Sequence, residues 1–270
     1  MQLGISSYTF TWAIGVPGHP PEHPMNALDL LKRAAELGVH LVQVADNLPL
    51  DQLSHAELDA FEQLAAELGV GIEVGTRGIG LDHVNTYLQL AERLGSPILR
   101  VVVNAADHHP TEDQVVSTIK KIVPELERAG IRLAIENHDR FKARQLAGMI
   151  EGIGSQHVGI CLDTVNSFGA LEGPEAVLEI LGPLTVNLHV KDFVIFRPDH
   201  LMGFTIEGRP AGRGRLDVPW LLETLRHQGR DPNAILELWT PPESTLSATV
   251  AKEAEWAAAS IEYLRTLISD

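Results

Sequence analysis

Cysteine is nearly missing: Cys161 is the only one in 270 residues. An intrachain disulfide is therefore excluded, and the composition suits a reducing cytoplasm. Basic residues are also scarce, 21 against 36 acidic ones, for a net charge of −15. That balance disfavours nucleic acid or an anionic membrane as the main partner. No unbroken apolar run is long enough to span a bilayer. The opening Met1-Gln2-Leu3-Gly4-Ile5-Ser6 lacks the basic n-region and long h-region of a secretory signal. Nor does a glycine-rich dinucleotide turn follow the first strand-like run, Leu3 to Tyr8, which counts against a doubly wound nucleotide-binding sheet.

What is present repeats. Strand-like runs over 41–45, 70–74, 98–103, 131–136, 158–163, 185–191 and 234–239 alternate with helix-like runs. The helical runs span 24–37, 54–68, 82–94, 111–130, 141–153, 174–181, 219–228 and 246–268, several ending at glycine. Ser54, Asp82 and Asp217 suit N-caps, and Thr111 opens a loose capping pattern with Gln114. Eight such units predict a (β/α)8 TIM barrel, an α/β fold, as one domain over 1–270. In that architecture catalytic groups sit at the carboxyl ends of the strands. The two longest loops, Thr9 to Pro24 and Phe193 to Asp217, leave that same end.

Four strands end in chemistry-bearing groups: Glu136, Asp163, His189 and Glu237. Residues two apart on a strand share a face, so Glu136 and His138 point one way, as do Asn187, His189 and Lys191. Three carboxylates and one imidazole make a hard, mostly oxygen site for one divalent metal ion. Mn²⁺ suits it best, with Mg²⁺, Co²⁺ or Zn²⁺ next. Two remaining positions of an octahedron would take neighbouring oxygens of a hydroxy-ketone sugar. The bound dication would acidify an adjacent C–H and stabilise the enediolate. Cys161 reads as core filler one step deeper than Asp163. His108 and His109 read as loop residues.

The motifs Ile135-Glu136-Asn137-His138, Cys161-Leu162-Asp163-Thr164, Leu188-His189-Val190-Lys191-Asp192, Ala211 to Asp217 and Leu236-Glu237 resemble those of the xylose isomerase-like TIM barrels. This is the sugar (phosphate) isomerase/epimerase group that includes endonuclease IV. The resemblance covers nearly the whole chain. It implies that Glu136, Asp163, His189 and Glu237 bind the metal, and that Glu136 and Glu237 exchange substrate protons as in ketose epimerases. Asn166 stands where several relatives carry a histidine that serves a second metal or substrate hydroxyls. Strands three and four end in Gly75-Thr76 and Val103-Asn104, without the histidines of a trinuclear zinc site, which argues against a DNA-repair nuclease.

Other residues carry two readings each. His138 is either a base or a loop-bonded imidazole. Lys191 either holds or protonates a substrate oxygen, or neutralises the carboxylates around it. Asp192 either orients Lys191 or binds a hydroxyl. Arg197, Arg213 and Arg215 could bind a phosphate or sugar hydroxyls. Trp12 and Trp239 either stack on a sugar ring or merely pack. The expected activity is a metal-dependent isomerase or epimerase working through an enediolate. A lyase using the same enolisation, on a 3-keto-glycoside or a dehydratable polyol, ranks next. A non-catalytic carbohydrate-binding or partner-supporting barrel is the rival from another class. The expected partner is a small sugar or sugar derivative; a homo-oligomer and a hetero-oligomer with a small subunit are both left open.

Overall fold

Local signals start most of the helices where the sequence places them. The Ser54 hydroxyl accepts a hydrogen bond from the Glu57 amide and the Glu57 carboxylate accepts one from the Ser54 amide, which opens a helix over His55–Leu68. Thr111 and Gln114 form the same reciprocal cap ahead of Glu112–Ala129. Gly69 and Gly130 end these helices in the left-handed conformation that glycine adopts without steric cost. One expected cap differs. Asp82 lies inside the first turn of its helix, Leu81–Arg93, and Gly80 occupies the cap position.

The computed structural model describes residues 1–105 and 108–269. Its strands are β1 (Leu3–Ser6), β2 (Leu41–Val44), β3 (Gly71–Arg77), β4 (Ile98–Val102) and β5 (Arg132–Glu136), followed by β6 (Val158–Asp163), β7 (Thr185–Val190), β8 (Asp192–Phe196), β9 (Thr205–Arg209) and β10 (Ala234–Leu236). Eight of them close a parallel barrel in the order β1-β10-β7-β6-β5-β4-β3-β2. The remaining two, β8 and β9, pair as an antiparallel hairpin above the barrel mouth. That hairpin replaces the irregular stretch expected after the seventh barrel strand. The helices are α1 (Thr11–Ile14), α2 (Ala27–Glu36), α3 (His55–Leu68), α4 (Leu81–Arg93), α5 (Glu112–Ala129), α6 (Ala143–Ile153), α7 (Pro174–Leu181), α8 (Val218–His227) and α9 (Leu246–Leu264). Among the described residues no helix is long and apolar enough to cross a membrane.

Several strands run shorter than their apolar patterns suggest, although β3 runs longer, to Arg77. β1 stops at Ser6 because the Ser6 hydroxyl accepts the Tyr8 amide and turns the chain. β10 stops at Leu236, although the Glu237 amide still donates to Val190 at 3.2 Å. Between β6 and β7 the register slips by one residue at Ile160/Cys161. Beyond this bulge Asp163 lies directly opposite His189. An unbroken ladder continuing from Ile160↔Thr185 would put Asp163 opposite Leu188 and turn it to the other face. Gly159 lies beneath the bulge; a Cβ there would meet Val186 Cγ1 at 2.6 Å and the Leu184 carbonyl at 2.9 Å.

Candidate metal centre and the cavity above it

Glu136 ends β5, Asp163 ends β6, His189 lies near the end of β7 and Glu237 follows β10. Their polar heads meet inside the barrel. His189 Nδ1 lies 3.5 Å from Glu136 Oε2, 3.8 Å from Asp163 Oδ2 and 3.4 Å from Glu237 Oε1. All four side chains are buried. Asp163, His189 and Glu237 form one compact group of potential ligands; Glu136, Cys161 and His189 form a second that overlaps it.

A buried amide network orients the imidazole. Gln43 Nε2 donates to Glu73 Oε2 and to Asn187 Oδ1, both at 3.0 Å. The Gln43 amide oxygen is therefore an acceptor, and His189 Nε2 donates to it at 2.7 Å. This leaves Nδ1 as the atom that faces the carboxylates. Burial alone would depress the His189 pKa, but Glu237, Glu136 and Asp163 outweigh it and raise it. Glu237 shows the converse: burial pushes its carboxyl up, yet His189, Lys191 and Arg100 hold it below its usual range. Burial keeps Cys161 a neutral thiol, well above its ordinary pKa, so it is a poor thiolate ligand.

Two built-in cations flank the carboxylates. Lys191 Nζ lies 2.8 Å from both Asp163 Oδ2 and Glu237 Oε2. Arg100, buried on β4, pairs through Nε with Glu136 Oε2 and donates through Nη1 to Asp46 Oδ1 at 2.9 Å. Asn166 Nδ2 donates to the other Glu136 oxygen at 2.6 Å. Burial opposes the Asp46 charge, but Arg100 and Arg77 bring its pKa down to about 2. His189 Nδ1 and Glu237 Oε1 are buried without a hydrogen-bond partner among the described residues. A hard donor set with orphaned, mutually facing lone pairs fits a divalent cation.

Lys191 and Asn166 form part of the floor of a cavity of roughly 820 Å³. Its walls include Trp12, Val165, Phe168, Ile206, Leu238 and Trp239, with Tyr8, His138 and Asp139 adding polar groups. The quartet lies below this floor. His138 Nδ1 is 2.6 Å from Asp139 Oδ1. Trp12 is fixed by its indole, which donates to the Thr240 carbonyl at 2.8 Å. The buried Glu253 on α9 accepts the Trp12 and Ala13 amides at 3.0 and 3.1 Å.

The structure thus brings Trp12, His138, Asn166, Lys191 and Trp239 to one cavity, but not Asp192, Arg197 or Arg213. Asp192 is buried and accepts the amides of Phe193, Gly214 and Leu216, so it shapes the loop before α8. Arg197 sits over the Phe204 ring on the hairpin and donates to the Leu201 carbonyl. Arg213 is exposed. Sequence reasoning missed Gln43, Glu73, Arg100 and Glu253. The first three shared a usable signal, a single polar residue inside an otherwise apolar strand; Glu253 had none.

Comparison with known proteins agrees with this architecture. The family described as xylose isomerase-like TIM barrel matches residues 31–267. A 3-oxo-isoapionate decarboxylase of Pectobacterium atrosepticum is 36% identical over 268 residues, covering 98% of this chain and 96% of the relative. D-psicose 3-epimerase of Clostridium cellulolyticum superposes with a TM-score of 0.74 at 14% identity, over 98% of this chain and 99% of that one. A xylose isomerase-like TIM barrel protein of Mycobacterium smegmatis in complex with magnesium gives 0.69 at 14% identity, over 96% of each chain. The chain belongs to the xylose isomerase-like TIM barrel family.

Proposed function

We propose that this protein is a metal-dependent decarboxylase of a sugar-derived 3-oxo acid, a lyase that reaches an enolate by losing CO₂ and not by the proton abstraction, with or without β-elimination, expected from the sequence. The observation that carries the reading is which groups face the cavity. Lys191 and His138 line it, whereas Glu136 and Glu237 do not. Epimerisation through two carboxylates needs a free base on each side of the substrate. Here both Glu136 oxygens are engaged, by Arg100 and Asn166, and Glu237 is buried outside the cavity lining.

Decarboxylation asks less of the protein. The C–C bond to the carboxylate breaks, CO₂ leaves, and the electron pair passes to the ketone oxygen as an enolate. Apolar walls such as Trp12, Phe168, Ile206 and Trp239 suit a step in which a localised carboxylate charge disperses. Held by Glu136, Asp163, His189 and Glu237, a divalent cation would supply Lewis-acid polarisation of that ketone. The Lys191 ammonium would hold the developing oxyanion. His138 would return one proton to carbon, with Asp139 fixing its ring. The substrate class is taken from the 36% identical relative, whose name specifies a 3-oxo sugar acid.

The test is incubation of the metal-loaded protein with 3-oxo-isoapionate in deuterated water. Stoichiometric CO₂ and one deuterium at the protonated carbon are expected. If no 3-oxo sugar acid loses CO₂, while ketoses exchange deuterium with all carbons retained, the isomerase/epimerase reading takes its place.

A further inference from the structure

The three carboxylates of the quartet are paired with cations of the chain itself, and the two cations differ in freedom. Arg100 is locked: it is buried on β4 and gripped at both ends, by Glu136 through Nε and by Asp46 through Nη1. Lys191 is held on one side only. Its Nζ contacts Asp163 Oδ2 and Glu237 Oε2 at 2.8 Å each, and Asn166 Oδ1 at 3.5 Å. Its side chain is 13% exposed and lines the cavity, whereas those of Asp163 and Glu237 are 0% and 1% exposed. The ammonium therefore stands between the cavity and the two carboxylates.

The same two carboxylates are needed by a divalent cation. Cations crowded onto the same buried oxygens repel strongly, because the interior screens charge poorly. Arg100 cannot yield without depriving Glu136 of its guanidinium and taking from Asp46 one of its two, the other being that of Arg77. Lys191 can, because its long flexible stem has open space above it.

We infer that Lys191 is a displaceable internal counter-ion: it neutralises Asp163 and Glu237 while the centre is empty, and metal loading moves its ammonium up into the cavity, where it meets the substrate. Loading and substrate recognition are thereby coupled through one side chain. The inference rests on the metal-dependent reading above, and extends it from which residues bind to how the centre is kept intact before binding.

The experiment is Mn²⁺ calorimetry on metal-stripped full-length protein, wild type and Lys191→Met. With the competitor removed, Lys191→Met should bind Mn²⁺ at least tenfold more tightly. Its metal-free form should melt below metal-free wild type, with most of the loss recovered on loading. Equal or weaker Mn²⁺ binding by the variant overturns the inference. In case that variant does not fold without metal, wild-type protein is reductively methylated with and without Mn²⁺, and Lys191 is followed by peptide mass spectrometry. Loading should raise Lys191 labelling at least fivefold relative to Lys120 and Lys121; unchanged or reduced labelling also overturns it. Wild type that binds no Mn²⁺, Mg²⁺, Co²⁺ or Zn²⁺ would remove the metal reading itself, and this inference with it.

Discussion

Asp163 stands directly opposite His189 because the ladder between β6 and β7 slips by one residue at Ile160/Cys161. One bulge therefore decides whether the sixth strand delivers its carboxylate to the quartet or to the other face.

Gly159→Ala tests that bulge. The new methyl would clash with Val186 Cγ1 and, more seriously, with the Leu184 carbonyl, which is backbone and cannot swing aside. Overpacking of this kind costs about 1–3 kcal/mol. Urea titration should show that loss, and divalent-metal affinity should fall with it. A variant as stable as wild type that binds metal normally would show that the register does not depend on Gly159.

The imidazole of His189 should depend on Gln43. Gln43→Leu removes the acceptor that holds Nε2 and takes from the acceptors Glu73 Oε2 and Asn187 Oδ1 the amide they share. Losing such an outer-shell partner typically weakens metal binding roughly 10–100-fold. Calorimetry with Mn²⁺ reads this directly. Asp163→Asn and Glu237→Gln should be at least as damaging, since they alter the donors themselves.

Arg100→Met should be among the most destabilising single changes in the chain. It leaves Glu136 and Asp46 without their shared guanidinium deep in the barrel. Breaking a buried pair from one side costs about 3–5 kcal/mol. Thermal melts of metal-free protein give the comparison; a shift of a degree or less would mean that Arg77 and Asn166 compensate.

Glu253 should make stability pH-dependent. Burial lifts its carboxyl to about 7, against the opposing pull of the Trp12, Ala13 and Thr11 amides. An acid whose folded pKa is raised binds protons more tightly in the native state. Its contribution is therefore complete below its unfolded value of about 4.3 and is lost as the pH rises through 7. The loss is on the order of 3 kcal/mol. Glu253→Gln should flatten the melting temperature between pH 5 and 8 relative to wild type. If the two profiles run parallel, another group sets the dependence.

Much of this was legible in the chain, for identifiable reasons. Glu136, Asp163, His189 and Glu237 each close an apolar strand, so alternation and the barrel rule together place them at one mouth. Ser54 and Thr111 announce their helices through contacts only three residues long. The pairing of Arg100 was not legible: its partners Asp46 and Glu136 lie 54 residues before it and 36 after it, so its lone place in an apolar strand marks burial but not the groups it meets. Asp192 misled for a similar reason, because two of its amide donors, Gly214 and Leu216, come 22 and 24 residues later. The hairpin of β8 and β9 escaped notice because Phe196 and Ile206 on its strands are apolar yet exposed, as are Leu201, Met202 and Phe204 in the loop that joins them, which blurs the alternation of a half-buried strand.

The grip of Glu253 on the Trp12 and Ala13 amides also bears on how the protein is born. Trp12 leaves the ribosome early, but the carboxylate that anchors it follows some 240 residues later. One wall of the reaction chamber therefore cannot settle until α9 has emerged, and nascent chains halted before α9 should carry the four prospective ligands yet lack a finished chamber.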